Sequence, residues 1–416
     1  MNQKGKVMPA DPRLTILRVG VVFRVFLALA LLVLALQPAH AVQEAARLRP
    51  TVILISFDGF RWDYVDMAPT PNLDRLVANG VRAGSLIPSF PTKTFPNHYT
   101  IATGLYPEHH GVVANNMYDP EFDARFGLAD RDAVADARWY GGEPIWVTAE
   151  RQGQITATFF WPGTEAAIGG VRPTHWRPYD GSVPNSQRVA QVLEWIRLPE
   201  DERPTFLSLY FSDVNDLGHE FGAESPEVIQ GIAQMDNLLG QLLQGLDEDG
   251  LTAQVNFIVT SDHGMTDVDP QHVIVLDDYI DLSVVDIVDL GAVLAVRPDA
   301  GREREVYENL AGVNGMSLYW KSDIPERLHY SDHRRITPIV GIADEGWIIT
   351  TVAVVDRWGV ITGDHGYDNA LPSQHGTFIA SGPAFRPGIV VEPIENIEIY
   401  NIMAHILGLE PAPNDG

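Results

Sequence analysis

Four short apolar runs constrain the fold more than anything else in the chain. They are Thr51 to Phe57 (TVILISF), Ile155 to Trp161, Thr205 to Phe211 and Val255 to Thr260, and each is followed by a turn or a polar stretch. They are too short for buried helices and too continuously apolar for half-exposed strands, so they read as strands covered on both faces. Helical patterns lie between them. Pro71 to Ala78 opens on a proline suited to a first turn. Val228, Ile229, Ile232, Met235, Leu238, Leu239, Leu242, Leu243 and Leu246 recur at helical spacing, a stripe that reads as core packing. The alternation predicts an α/β fold with a mostly parallel central sheet flanked by helices. From Ala292 to Val355 the texture changes. Two β-rich stretches, AVLAVRP and EGWIITTVAVV, flank a charged helix at Glu303 to Leu310, which predicts a small α+β insertion over about 292–355 within one domain of 42–416. The parallel sheet is expected to resume at Thr377 to Ala380, and a helix at Ile397 to Leu407 to close the chain.

Residues 1–41 read as a signal peptide. The uninterrupted apolar run Val25 to Leu36 is preceded by scattered basic residues and followed by Ala39-His40-Ala41, a cleavage signal. The run is too short to span a bilayer core of ~30 Å as a helix, so no stable membrane insertion is expected. The alternative is an uncleaved anchor, because Val19 to Phe23 extends the apolar stretch beyond Arg24. The expected location is periplasmic or secreted.

The chain has no cysteine, so a bound metal must be held by His, carboxylate, amide or hydroxyl groups. Of the 29 basic and 55 acidic residues, five basic groups and one acid lie within residues 1–41, leaving 24 against 54, or −30. Such a surface repels polyanions, so no nucleic-acid polymer is expected as a partner. A small anionic substrate remains open if cations line its pocket.

Ligands in open parallel sheets bind beyond the carboxyl ends of the strands. Metal-binding residue types collect there. Asp58 follows the first strand, Asn215, Asp216 and His219 follow Phe211, Asp262 and His263 follow the VNFIVT run, and Asp364 and His365 lie late in the chain. A lone Asp at a strand end is ordinarily a cap, and a lone His a satisfied polar group. Their joint appearance suggests two zinc sites in one crevice. Thr94, two residues before Pro96, falls at or near a helix N-cap, where backbone N–H groups favour an anion. It reads either as a capping threonine or, beside a metal, as a nucleophile.

Six motifs carry a resemblance: Ile55-Ser-Phe-Asp-Gly-Phe-Arg-Trp-Asp63, Pro91-Thr-Lys-Thr-Phe-Pro-Asn-His-Tyr99, Thr103-Gly-Leu-Tyr-Pro-Glu-His-His-Gly111, Asn115-Asn-Met-Tyr-Asp-Pro120, Ser261-Asp-His-Gly-Met265 and Gly363-Asp-His-Gly-Tyr-Asp-Asn369. In this order they resemble the nucleotide pyrophosphatase/phosphodiesterase family of the alkaline phosphatase superfamily. The resemblance implies an alkaline-phosphatase-like core, a phosphodiesterase catalytic domain over 42–416, two Zn²⁺ ions and a small-molecule nucleotide or phosphodiester substrate. It places a first zinc site on Asp58, Thr94, Asp262 and His263, with Thr94 as nucleophile, and a second on Asn215, His219 and His365. Asn115 is implied as an amide donor to a phosphoryl oxygen. Phe95, Trp161 and Tyr179 are implied to sandwich a nucleobase, with Tyr210 as a further wall. The implied reaction is hydrolysis through a phosphothreonine, releasing a nucleoside monophosphate.

One position departs from the pattern. The family has Asp where this chain has Asn215, which offers zinc a carbonyl oxygen but no charge. Asp213 or Asp216 is a possible substitute. The alternatives are a phosphodiesterase for lysophospholipid or glycerophosphodiester head groups, and a metal-impaired nucleotide-binding relative.

Overall fold

The computed structural model describes residues 48–416 together with Gly5. Apart from Gly5, the expected signal peptide lies outside the described residues. Among the described residues no helix is long and apolar enough to cross a membrane.

The central sheet takes β1 (Thr51–Phe57), β2 (Gly80–Ala83), β3 (Thr156–Phe159), β4 (His175–Arg177), β5 (Phe206–Phe211) and β6 (Val255–Thr260). A second sheet takes β7 (Val285–Asp289), β8 (Val293–Pro298), β9 (Met316–Trp320) and β10 (Ile339–Ala343), and the chain returns to the first sheet with β11 (Phe378–Ser381) and β12 (Ile389–Val391). The helices used below are α1 (Pro71–Ala78), α2 (Thr94–Thr103), α3 (Asn185–Ile196), α4 (Asp213–Phe221), α5 (Pro226–Glu248), α6 (Glu303–Leu310), α7 (Val352–Trp358) and α8 (Glu398–Leu407).

The large sheet has the order β12-β2-β11-β6-β1-β5-β3-β4. All its pairings are parallel except the two made by β11, which runs antiparallel to both β6 and β2. The expectation that the parallel core resumes near Thr377 is therefore corrected. A four-residue apolar segment carries no signal for its direction, which is set by the connection that delivers it.

Alternation along β1 builds two cores. Val52 and Leu54 join Ile101 and Ala102 of α2 and Met403 of α8 on one face, whereas Ile53, Ile55 and Phe57 join Ile232, Met235 and Leu239 of α5 on the other. Of the expected α5 stripe, Ile229 is exposed and Leu238 only half-buried.

The second sheet, ordered β7-β8-β10-β9, is antiparallel throughout and carries its own apolar cluster with α6. It begins at Val285. In the stretch EGWIITTVAVV, only Ile348–Thr350 forms a strand. The VAVV tail opens α7 because the Thr351 hydroxyl accepts the Val354 N–H at 3.3 Å, and this cap outweighs the β preference of the valines.

Asp236, inside the apolar stripe of α5, is buried because it caps another helix. Its Oδ1 accepts the N–H groups of Asn72 at 3.0 Å and Leu73 at 2.8 Å, where Thr70 provides no side-chain cap to α1. Asp236→Ala is expected to cost about 2 kcal/mol, leaving buried donors unpaired. A urea unfolding curve with unchanged slope and a lower midpoint checks this.

Candidate metal centre and substrate cavity

The carboxyl ends of β1 and β6 deliver Asp58 and Asp262-His263 side by side, and the first turn of α2 brings Thr94 to them. Thr94 is the first residue of this helix; the cap position itself is Lys93. The His263 Nε2 lies 3.0 Å from Asp262 Oδ2, 3.5 Å from Asp58 Oδ1 and 3.5 Å from Thr94 Oγ1. The other ring nitrogen, Nδ1, faces the Gly264 carbonyl at 2.8 Å, the contact that in a metal-binding histidine leaves Nε2 for the ion. Nε2 therefore presents a lone pair to two carboxylate oxygens and a hydroxyl. Asp58 Oδ1 and Asp262 Oδ2 are buried without a hydrogen-bond donor. Lone pairs converging with no hydrogen between them are the donor set of a cation.

The electrostatics agree. Burial, and then the neighbouring Asp262 charge, push Asp58 well above the usual carboxylate range. Burial also works against the charge of Asp262, but His263 and His98 outweigh it and hold this carboxyl well below its ordinary value. Tyr210 donates its hydroxyl to Asp58 Oδ2 at 2.6 Å. Its phenol is pushed up by burial and then by Asp58, so it remains the donor.

A second donor group adjoins the first. Asn215 and His219 are four residues apart on α4 and so share a face. The Nδ1–H of His219 donates to the Gly363 carbonyl, and that of His365 to the Thr92 carbonyl, each at 2.8 Å. Each Nε2 is thereby left as an acceptor. The His365 ring stacks on His263 at 3.5 Å between centroids and lies 5.0 Å from His219. Burial, reinforced by these two rings, keeps His365 neutral and able to ligate. Asn215 Oδ1 is a further buried acceptor without a donor. Of the two alternatives to it, Asp213 has both oxygens bound to the Asn185 amide at 2.8 Å, while Asp216 lines the cavity and accepts the Ser212 hydroxyl. The residues present therefore offer donor groups that fit divalent metal, with the Asp364 carboxylate also within ligand distance of His219 and His365.

A cavity of about 270 Å³ opens above Asp58 and Thr94, walled by Phe95, Trp161, Tyr179 and Tyr210. Trp161 is almost wholly buried, with its indole N–H donated to the His98 carbonyl at 3.1 Å, whereas Tyr179 is 39% exposed at the rim. Tyr210 is thus both wall and hydrogen-bond donor to Asp58. Asn115 lies beside the first turn of α2, where its Oδ1 accepts the Phe95 N–H at 2.9 Å. Its amide NH₂ is the half left to donate.

Two residues that sequence reasoning passed over belong here. His98 Nδ1 lies 2.9 Å from the Thr94 carbonyl and 3.3 Å from Asp262 Oδ2, and its Nε2 pairs with Ser56 Oγ at 2.8 Å. The available signals were helical spacing, which puts His98 on the face of Thr94, and strand alternation, which puts Ser56 on the face of Asp58.

Comparisons with known proteins identify the family. Residues 52–368 match the family model described as type I phosphodiesterase/nucleotide pyrophosphatase. The chain is 40% identical over 367 residues to human ectonucleotide pyrophosphatase/phosphodiesterase family member 5, covering 88% of this chain and 76% of that protein. It is 40% identical over 371 residues to the bis(5′-adenosyl)-triphosphatase enpp4 of mouse, covering 88% and 79%. Of some longer relatives it spans only 41% to 43% of the length. Among solved structures, murine ectonucleotide pyrophosphatase/phosphodiesterase 5, as an inactive threonine-to-alanine variant in complex with AMP, superimposes with a TM-score of 0.84 at 39% identity, covering 88% of this chain and 97% of that one. The fold is alkaline-phosphatase-like, and the chain belongs to the type I phosphodiesterase/nucleotide pyrophosphatase family of hydrolases.

Proposed function

We propose that this protein is a zinc-dependent nucleotide phosphodiesterase/pyrophosphatase that works through a phosphothreonine at Thr94. The observation that carries the reading is the convergence of Thr94 Oγ1, His263 Nε2, Asp58 and Asp262 beneath an aromatic cavity. Asp58, Asp262, His263 and Thr94 would hold one Zn²⁺, and Asn215, His219 and His365 another. When bound, such ions lower the pKa of a coordinated hydroxyl and neutralise charge on phosphoryl and leaving oxygens.

The protein's own groups do the rest. Thr94 Oγ attacks phosphorus, the bond to the leaving oxygen breaks, and a phosphothreonine remains. Asn115 donates its amide N–H to a non-bridging oxygen that gains charge in this step. Water then attacks the same phosphorus, restores the Thr94 hydroxyl and releases a nucleoside monophosphate. Phe95 and Tyr179 at the cavity wall suit a flat base, and Trp161 holds the backbone at His98. The AMP held by the murine relative and the dinucleotide named for enpp4 support a nucleotide substrate for this chain. The expected site of action is the periplasm or the exterior.

Thr94→Ala is expected to lower turnover of a nitrophenyl ester of thymidine monophosphate by at least about 10³-fold, the scale of a lost nucleophile, while AMP still binds in calorimetry. Loss of AMP binding together with turnover would point to a structural threonine instead. Nitrophenol release from the nucleotide ester should exceed that from a choline phosphodiester; the reverse order would favour the head-group reading.

Elemental analysis should find two zinc ions per chain. In Asn215→Asp, the more weakly held ion should resist chelator about 10-fold or more better than in the wild type, because a charged ligand replaces a neutral one. An unchanged chelator titration would remove Asn215 from the metal assignment.

A further inference from the structure

Lys93 immediately precedes Thr94, yet it does not face the cavity. It is 6% exposed, and its ammonium donates to Asp289 Oδ2, across 196 residues of sequence, and to the Leu290 carbonyl at 3.4 Å. Asp289, equally buried, ends β7 of the antiparallel sheet at a register shift between Ile287 and Asp289, the kind of bulge that re-aims a side chain. Its other oxygen accepts the Asn116 amide at 3.0 Å. Asn116 is the neighbour of Asn115. On the far side, the Lys93 stem passes Gly366, the residue after His365. A Cβ at Gly366 would come within 3.1 Å of Lys93 Cε, and its φ of +116° also favours glycine.

A buried ion pair is weak evidence of stabilisation, since desolvating both charges offsets most of their attraction. This one touches the residues flanking the nucleophile, the amide donor and a metal-binding histidine. We infer that Lys93, Asp289 and Asn116 form a positioning unit that locks the Thr94 turn and the Asn115 loop against the second sheet. The unit fixes the attack geometry, and Lys93 is not a phosphate-binding cation. The inference rests on the assignment of Thr94 as nucleophile and Asn115 as donor.

Steady-state kinetics on Lys93→Met, Asp289→Asn and the double variant, each loaded with zinc, test it. Each single change is expected to lower kcat by about 10- to 100-fold, the scale of a reacting group displaced by about 1 Å. KM and the inhibition constant of AMP should stay within about threefold, and zinc content should be unchanged. The double variant should be no slower than the slower single one, because the two side chains act as one unit. Asn116→Ala, at an exposed position that leaves folding intact, should lower kcat by about 3- to 10-fold at constant KM. It serves as the deciding variant if the buried ones do not fold. Unchanged kcat in Lys93→Met with zinc retained, or in Asn116→Ala, would overturn the inference. So would losses that multiply in the double variant, or a rise in the AMP inhibition constant matching the fall in kcat/KM, which would make Lys93 a phosphate ligand. Acid-quenched wild-type enzyme lacking phosphothreonine would count against the nucleophile reading alone, since the kcat comparisons are made independently of it.

Discussion

The site is organised by two carboxylates that ought to avoid each other. Asp58 and Asp262 end neighbouring parallel strands, are essentially inaccessible to water, and both approach the same imidazole nitrogen. Two buried negative charges at this separation are costly unless a cation lies between them. The protein supplies relief mainly to Asp262, through His263, His98 and the Gly59 N–H, whereas Asp58 has the Tyr210 hydroxyl. A cation bound here, as proposed, would remove this repulsion and so couple metal binding to the packing of the strand ends. The surrounding aromatic and histidine contacts serve that requirement by holding the ligands where they cannot relax apart.

The sheet explains why those ligands meet. Parallel strands present all their carboxyl ends on one edge, and adjacent β1, β5 and β6 send Asp58, the start of α4 and Asp262-His263 to it. The antiparallel β11 changes strand direction without disturbing this edge, because it pairs outside β6. The second sheet then reaches back across the chain to the residue before Thr94. If Thr94 is the nucleophile, as proposed, its placement depends on the preceding residue being fixed, and Lys93 has its main chain in the α2 cap and its side chain paired with Asp289 of β7.

Much of this was legible in the sequence, for reasons that also mark the limit. Strand β1 is a seven-residue β-branched run followed by Asp-Gly, α6 is a compact amphipathic segment, and ligands at strand ends follow from the logic of parallel sheets. These are local signals. The direction of β11, the capping of α1 by Asp236 and the pairing of Lys93 with Asp289 each join segments far apart in the chain, so neither periodicity nor composition carries them. Tyr210 shows an intermediate case. Its place at the end of β5 was readable, but its hydrogen bond to Asp58 depends on which strands are neighbours. The helical start at Val352 shows local signals in conflict, with a single threonine cap outweighing a run of valines.

The charge distribution bears on Asn215. On the proposed assignment, the first ion is met by two carboxylates, and the second by Asn215, His219 and His365, with the Asp364 carboxylate within ligand distance of both histidines. Asp364 aside, the ligands proposed for the second ion bring no carboxylate, so it would retain more of its charge than the first. Since the rest of the surface is strongly acidic, that charge would act with Arg131 in drawing an anionic phosphate into a cavity also lined by aromatic rings, Glu165 and Asp216. An aspartate at 215 would tighten the metal but cancel part of the attraction for substrate. On that assignment a neutral amide at this position would give up some metal affinity without adding negative charge beside the substrate.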